Sequence, residues 1–285
     1  MTIATKATTA GVLAAFVCAG LVTPQAASAD SPSSTGVGTL SGQELGVGTL
    51  SGQELGVGTL SGQELGAAKA ANDDRNDRSK DGWGGRDATA AEIKAKDAYM
   101  AANKPKNSTL ANSRMLPYVH QGQWYNNYCG PATLVMALGM RGIWNHDQGT
   151  FARWIGISPN NGGTGVDQMN KQLNDESGGF TYIRANLPYT PTGADVTLFK
   201  NRLMSDTDLG GSLVGNSMEV YNGPHLVGHP NNRSTIYHWF PFQGYDQDWA
   251  AYMDSATTVW SSVPARNGMP NSTLVTIMGG RGYNW

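Results

Sequence analysis

One cysteine, its flanking residues and five histidines are the parts of this sequence best suited to chemistry. Cys129 begins the run 129–140, in which apolar residues recur on one helical face and Pro131 suits the first turn. Helix N-termini stabilise negative charge, so we expect the thiol to have a lowered pKa and to be a good nucleophile. The alternative is a small cysteine that only packs against the core.

A nucleophilic thiol needs a base to take its proton and a third group to orient that base. His238 lies in a strand-like aromatic run, 236–240, whose rigid backbone would hold the imidazole toward Cys129. The next strand-like run ends at Asp254, so a hairpin would bring this carboxylate beside His238, where it would fix the tautomer and orientation of the ring. Asp246 is the alternative orienting carboxylate.

The other histidines are weaker candidates. His225 and His229 lie in a loop rich in Gly and Pro, and no further metal ligands can be assigned to them, so we expect a role in a substrate cleft or simply in the loop. His120 and His146 have no assignable partner. Ser217 lacks the second glycine of a nucleophile elbow, which argues against a serine hydrolase. The sequence predicts neither a metal nor an organic cofactor.

The order of these residues resembles the C39-like group of papain-like cysteine peptidases. The matching residues are Gln123, six positions before Cys129-Gly130-Pro131, then His238-Trp239, Gly244-Tyr245-Asp246 and Tyr252-Met253-Asp254. The resemblance implies an α+β, papain-like cysteine peptidase fold with N-terminal helices packed on an antiparallel sheet. It also implies that Cys129 is the nucleophile, His238 the general base and acid, Asp254 its orienter, and Gln123 the side-chain donor of the oxyanion hole.

Periodicity places most helices before most strands along the chain. Pro241, three residues after His238, cannot donate to a ladder and predicts an edge position or a bulge in that strand. We expect helices over 87–104, 165–174 and 195–204, and strands over 211–220, 235–244, 249–253 and 273–278.

The N-terminal residues are typical of a secretory signal peptide. Residues 1–29 contain one Lys, an apolar run and Ala-Ser-Ala before Asp30. The apolar run is too short to cross a bilayer and no other is longer, so we expect no membrane span. Cys18 leaves with the signal peptide, and a secreted protein whose single cysteine is Cys129 cannot close an internal disulfide. A reactive thiol is therefore favoured.

Residues 36–65 consist of Gly-Val-Gly-Thr-Leu-Ser-Gly-Gln-Glu-Leu repeated three times. This segment has little apolar surface to offset its ordering entropy, so we expect a flexible linker over 30–86. The alternative is a motif presented three times to gain avidity for a cell-wall or other extracellular partner. A helical pre-segment over 87–114 and a C39-like peptidase domain over 115–285 complete the expected organisation.

The net charge of the chain bears on which partners the protein is expected to bind. The net charge of −2 gives no reason to expect nucleic acid or an anionic membrane as partner. We expect a secreted cysteine peptidase that acts on a peptide or protein substrate, and association with the cell wall is an open alternative. The alternatives are a transglutaminase-type acyl transferase, with Gln43, Gln53 and Gln63 as candidate acyl donors, and a non-catalytic module that binds a cell wall or another partner. Gly84-Gly85 is a candidate site for self-cleavage.

Overall fold

The structure is a computed structural model that describes residues 59–74, 86–103 and 112–285. The predicted signal peptide, the first two repeats and the candidate self-cleavage site lie outside the described residues. The elements are α1 (Gly62–Asp74), α2 (Ala90–Asn103), β1 (Ser113–Met115), α3 (Cys129–Gly139), α4 (Gln148–Ile155), α5 (Val166–Glu176), β2 (Arg184–Ala185), α6 (Gly193–Asp208), β3 (Val214–Glu219), β4 (Ile236–Asp246), β5 (Trp249–Met253), a 3₁₀ turn (Ser255–Thr258), β6 (Arg266–Pro270), α7 (Asn271–Met278) and β7 (Gly282–Asn284).

The strands form one antiparallel sheet in the order β2-β7-β3-β4-β5-β6, with β1 paired to the end of β4. This arrangement confirms the predicted α+β class with an antiparallel sheet. Strand β4 has neighbours on both sides, so the edge position predicted from Pro241 is wrong. The predicted bulge is present nearby, since the β4–β5 register shifts between Phe242 and Gly244.

The two largest apolar clusters among the described residues pack around this sheet. One contains residues of α3, α4 and α5 together with Trp239, and the other contains residues of α6 and α7 together with Phe240 and Phe242. Successive strand residues point to opposite faces, which explains why the neighbours Trp239 and Phe240 belong to different clusters. Helix α3 is buried on all sides from Gly130 to Gly139. None of the described helices is long and apolar enough to cross a membrane.

The predicted strand over 273–278 is wrong, because these residues belong to helix α7. Its Thr, Val and Ile residues favour a strand locally. The helix is stabilised instead by burial, since Leu274, Val275, Ile277 and Met278 all lie in the core cluster. The helices predicted over 87–104, 165–174 and 195–204 correspond to α2, α5 and α6, and the other three predicted strands to β3, β4 and β5.

The structure corrects the linker prediction for residues 59–74. Ser61 and Glu64 exchange capping hydrogen bonds that begin α1 within the third repeat. Leu65 is 4% exposed. Lys69 Nζ donates to three carbonyl oxygens around the C-terminal end of α7, at 2.6, 2.8 and 3.0 Å. A cation at the C-terminal end of a helix satisfies the last carbonyl groups of that helix. Lys69 therefore holds α1 against α7, a tertiary contact that the few apolar residues of α1 did not indicate.

Candidate active site

Cys129 is the first residue of α3 and is half-buried. Tyr128, the N-cap, makes no side-chain capping bond, so the first backbone N–H groups of the helix are left for other acceptors. A Cβ on Gly130 would overlap Thr164 Oγ1. Glycine is therefore needed directly after the cysteine, because it lets this helix end approach the Thr164 segment closely.

Trp239 makes two hydrogen bonds, one through its carbonyl oxygen and one through its indole. They connect the strand of His238 to the helix of Cys129 and to the Thr164 segment. Thr133 Oγ1 in α3 donates to the carbonyl oxygen of Trp239 at 2.8 Å. The indole Nε1 of Trp239 donates to the carbonyl oxygen of Thr164 at 2.9 Å. The residue next to His238 is thus fixed to the helix that carries the thiol.

Asp254 follows β5 directly, and its carboxylate meets His238 on β4. His238 Nε2 lies 3.0 Å from Asp254 Oδ1, a close charge contact that is not aligned as a hydrogen bond. The backbone N–H of Ala256 donates a hydrogen bond to Oδ1 at 2.8 Å and fixes the carboxylate. Asp246 lies at the far end of β4, opposite Trp249. The structure therefore brings Asp254 rather than Asp246 to the imidazole.

The electrostatics of the Cys129 and His238 pair favour a thiolate beside an imidazolium. Burial acts to raise the pKa of Cys129, but hydrogen bonding to His238, the positive charge of that ring, and the backbone N–H groups of Trp239 and Gly130 leave the pKa below its usual value. Burial likewise acts to lower the pKa of His238, but the charge of Asp254 outweighs it and raises the pKa well above its usual value.

A second histidine, His229, lies behind Asp254. Its Nε2 donates to Asp254 Oδ2 at 3.0 Å, and its Nδ1 lies 3.0 Å from Glu219 Oε2 at the end of β3. Sequence reasoning assigned His229 to a loop and did not consider Glu219. The available signal was Glu219 itself, which lies in a run predicted to be a strand, because a carboxylate that becomes buried with its strand needs a cationic partner.

Gln123 is buried in the loop that leads into α3, and its side chain is fully engaged there. Its Nε2 donates to the carbonyl oxygens of Tyr125 and Asn126, both at 2.9 Å. Its Oε1 accepts from Ser255 Oγ at 3.1 Å. Since an amide has two N–H donors, Gln123 has none left for an oxyanion in this arrangement.

The remaining histidines each have a partner. His120 Nε2 donates to the backbone carbonyl oxygen of Asp254 at 2.8 Å. His146 Nε2 lies 3.2 Å from Glu176 Oε2. His225 Nδ1 donates to the carbonyl oxygen of Gly223 at 2.8 Å. His146 also lines an open cleft of about 390 Å³, together with Gln121, Val135, Trp144, Asn145, Asp147 and Thr150.

Among the described residues, one group has the donor atoms to hold a metal ion, namely His229, His238 and Asp254, whose atoms lie within 4.8 Å of one another. A metal ion bound by all three side chains would lie between the carboxylate of Asp254 and the imidazole rings of His229 and His238. Both ring nitrogens of His229 already contact carboxylates at 3.0 Å, so a metal would have to replace the proton between Nε2 and Asp254. The arrangement fits a proton-handling network better than a metal centre.

Comparison with models of known protein families finds no match for this sequence, and comparison with curated proteins finds none either. Among solved structures, the chain is similar to a "putative C39-like peptidase from Bacillus anthracis". The two chains are 14% identical, with a TM-score of 0.38 over 59% of this chain and 92% of the other. The functional proposal therefore rests on the geometry of the site.

Proposed function

We propose that the protein is a cysteine peptidase of the papain-like, C39-like type that hydrolyses peptide bonds through Cys129, His238 and Asp254. The observation behind this proposal is a half-buried cysteine at a helix N-terminus, whose pKa is lowered by His238, an imidazole that contacts a buried carboxylate. The character of residues 1–29 supports secretion as part of the same proposal.

The first half of the reaction forms a thioester. The thiolate of Cys129 attacks the carbonyl carbon, and the carbonyl oxygen becomes an oxyanion. His238, as the imidazolium, donates its proton to the leaving amine as the C–N bond breaks. Asp254 holds the ring in place and stabilises its charge before this transfer.

The second half restores the enzyme. His238, now neutral, takes a proton from water while the water oxygen attacks the thioester carbon. The C–S bond breaks, the carboxylic acid leaves, and Cys129 and His238 return to the thiolate and imidazolium. An amine in place of water would give acyl transfer through the same thioester, so analysis of the products distinguishes the transferase from the peptidase.

Stabilisation of the oxyanion is assigned to Gln123 and the backbone N–H of Cys129. Gln123 lies six residues before the nucleophile, which supports this role. Its amide protons are donated to Tyr125 and Asn126, so substrate binding has to release one of these bonds before Gln123 can donate to the oxyanion. The role thus includes a rearrangement of the loop from Gln123 to Tyr128.

Alkylation of the full chain by iodoacetamide tests the pair without knowledge of the substrate. We expect rapid labelling of Cys129 at pH 6, where an ordinary thiol is protonated, and a labelling rate about a hundredfold lower in His238→Ala. His146→Ala, which removes a histidine from another carboxylate, is the matched control and should label like the wild type. Equal labelling rates in wild type and His238→Ala would show that the proposed pair is wrong.

A further inference from the structure

The carboxylate of Asp254 makes ordered contacts on the side away from His238 as well as on the side that faces it. We propose that His229 and Glu219 are positioning residues for the reaction, with His229 held as an imidazolium between two carboxylates so that Asp254 stays ionised and oriented while His238 is neutral. This inference rests on the proposed peptidase function and extends it to two residues that never contact the reacting atoms.

The contacts on both nitrogens of His229 define its protonation state. Nδ1 lies 3.0 Å from Glu219 Oε2 and Nε2 lies 3.0 Å from Asp254 Oδ2, and all three side chains are completely buried. An ionised carboxylate only accepts hydrogen bonds, so a ring between two of them has to donate from both nitrogens. Only the protonated imidazole can do so.

Glu219 is itself held in a single orientation. Ser217 Oγ donates to its Oε1 at 2.8 Å, and the backbone N–H of Leu226 donates to its Oε2 at 3.2 Å. The ring of Trp260 packs against His229 with the ring centroids 4.8 Å apart. The network is therefore closed from water and rigid, as a positioning device requires.

The surrounding charges agree with this assignment. Burial acts to lower the pKa of His229, but the charge of Glu219 and the hydrogen bond to Asp254 raise it to about 9. The other titratable groups around the network are His238, whose ring centroid lies 5.0 Å from that of His229, and His225 and Tyr252, which face Glu219.

The imidazolium of His229 has a role in the second half of the reaction. During acylation His238 is positive and pairs with Asp254. Once His238 has passed its proton to the leaving amine, Asp254 would be a buried carboxylate with no cation, and such a group tends to take up a proton. His229 supplies the missing charge, so Asp254 stays ready to stabilise His238 when that ring takes a proton from water. Deacylation should therefore depend on His229 and Glu219 more than acylation does.

The test uses Glu219→Gln in the full chain, with p-nitrophenyl acetate as the probe. Glutamine keeps a hydrogen bond to Nδ1 but removes the charge that keeps His229 protonated. Acetylation of the thiolate expels p-nitrophenolate without needing a proton, so the initial burst should keep its rate and amplitude. His238 keeps its proton in this step and then releases it to the solvent, which gives the neutral base that hydrolysis needs. The steady-state rate, which reports hydrolysis of the acetyl-enzyme, should fall about tenfold. Mass spectrometry should show acetylated Cys129 accumulating.

The matched control is Asp206→Asn, which neutralises a buried carboxylate that pairs with Lys96. It should lower stability without changing the ratio of the burst rate to the steady-state rate. An unchanged steady-state rate in Glu219→Gln, or an equal loss in both phases, would overturn the role of His229 and Glu219 alone. Absence of a burst in the wild type would instead remove the peptidase proposal, and this inference with it.

A measurement on the wild type removes any dependence on how the variant folds. In a histidine-labelled sample, ¹⁵N NMR at pH 7.5 should show both ring nitrogens of His229 protonated, because its pKa of about 9 lies above this pH. A neutral His229 ring under these conditions would overturn the inference.

Discussion

Two groups of buried charges in this protein contain similar residues but have different surroundings. In one, Asp254 lies between His238 and His229, and the charge of His238 acts in turn on the thiol of Cys129, whose pKa it lowers. In the other, Lys96 Nζ lies 3.1 Å from Asp206 Oδ1, and both side chains are completely buried. Lys96 also donates to a backbone carbonyl and lies over an aromatic ring.

The pKa values of the two carboxylates are shifted in opposite directions. Burial acts to raise both pKa values. At Asp206 burial outweighs the charge of Lys96, and the pKa rises to about 6. At Asp254 the charge of His238 and the hydrogen bond from His229 outweigh burial and hold the pKa far below its usual value. A buried charge pair therefore indicates chemistry only when it also acts on a reactive atom such as the thiol of Cys129. The pair of Lys96 and Asp206 reaches none and is structural.

The largest expected effect is on activity at Asp254. Asp254→Asn should lower kcat/KM for a peptide substrate by about a thousandfold or more, as the same change does in a serine-protease triad, because the imidazolium loses its orienting charge. Asp246→Asn is the matched control and should retain wild-type activity, since Asp246 lies at the far end of β4. Rates are measured per folded molecule. Loss of activity in Asp246→Asn alone would reverse the assignment.

The next expected effect is on stability at Asp206. Asp206→Asn leaves Lys96 as a buried cation without its carboxylate, so the free energy of unfolding should fall by about 4 kcal/mol. Activity per folded molecule should not change. Urea denaturation and active-site titration of the same sample check both statements. A drop in activity without a loss of stability would break the distinction between the two groups.

The smallest effect expected here concerns the pH dependence of stability. The folded-state pKa of His229 is raised from 6.5 to about 9, so its contribution is complete below pH 6.5 and is lost as pH rises through 9. It amounts to about 3 kcal/mol. Because Glu219 supplies much of this contribution, the wild type should exceed Glu219→Gln in unfolding free energy at pH 6, and this difference should shrink by pH 10. A difference independent of pH would exclude an imidazolium at His229.

The sequence predicted the elements with strong local patterns. The apolar face after Cys129 predicted α3, and two aromatic, β-rich runs separated by a short turn predicted the β4–β5 hairpin that brings Asp254 to His238. The roles of Gln123, Cys129, His238 and Asp254 in catalysis remain predictions, which the experiments above address.

Features that depend on distant contacts were not predictable in the same way. Helix α1 is held through Lys69 by carbonyl groups more than two hundred positions away in the sequence. The partners of His229 come from the end of β3 and from the residue that follows β5, so the packing of these strands is what brings them to the ring. In α7, residue propensity favours a strand while burial against the core favours a helix, and burial prevails.

Thr164 has a further consequence for the geometry of the site. Its side chain fills the space beside Gly130, and its carbonyl oxygen holds the indole of Trp239, so it contacts one sequence neighbour of Cys129 and one of His238. We therefore expect Thr164 to act as a spacer between thiol and imidazole. A displacement of the segment between α4 and α5 should then change the alignment of this pair, although the segment carries neither residue.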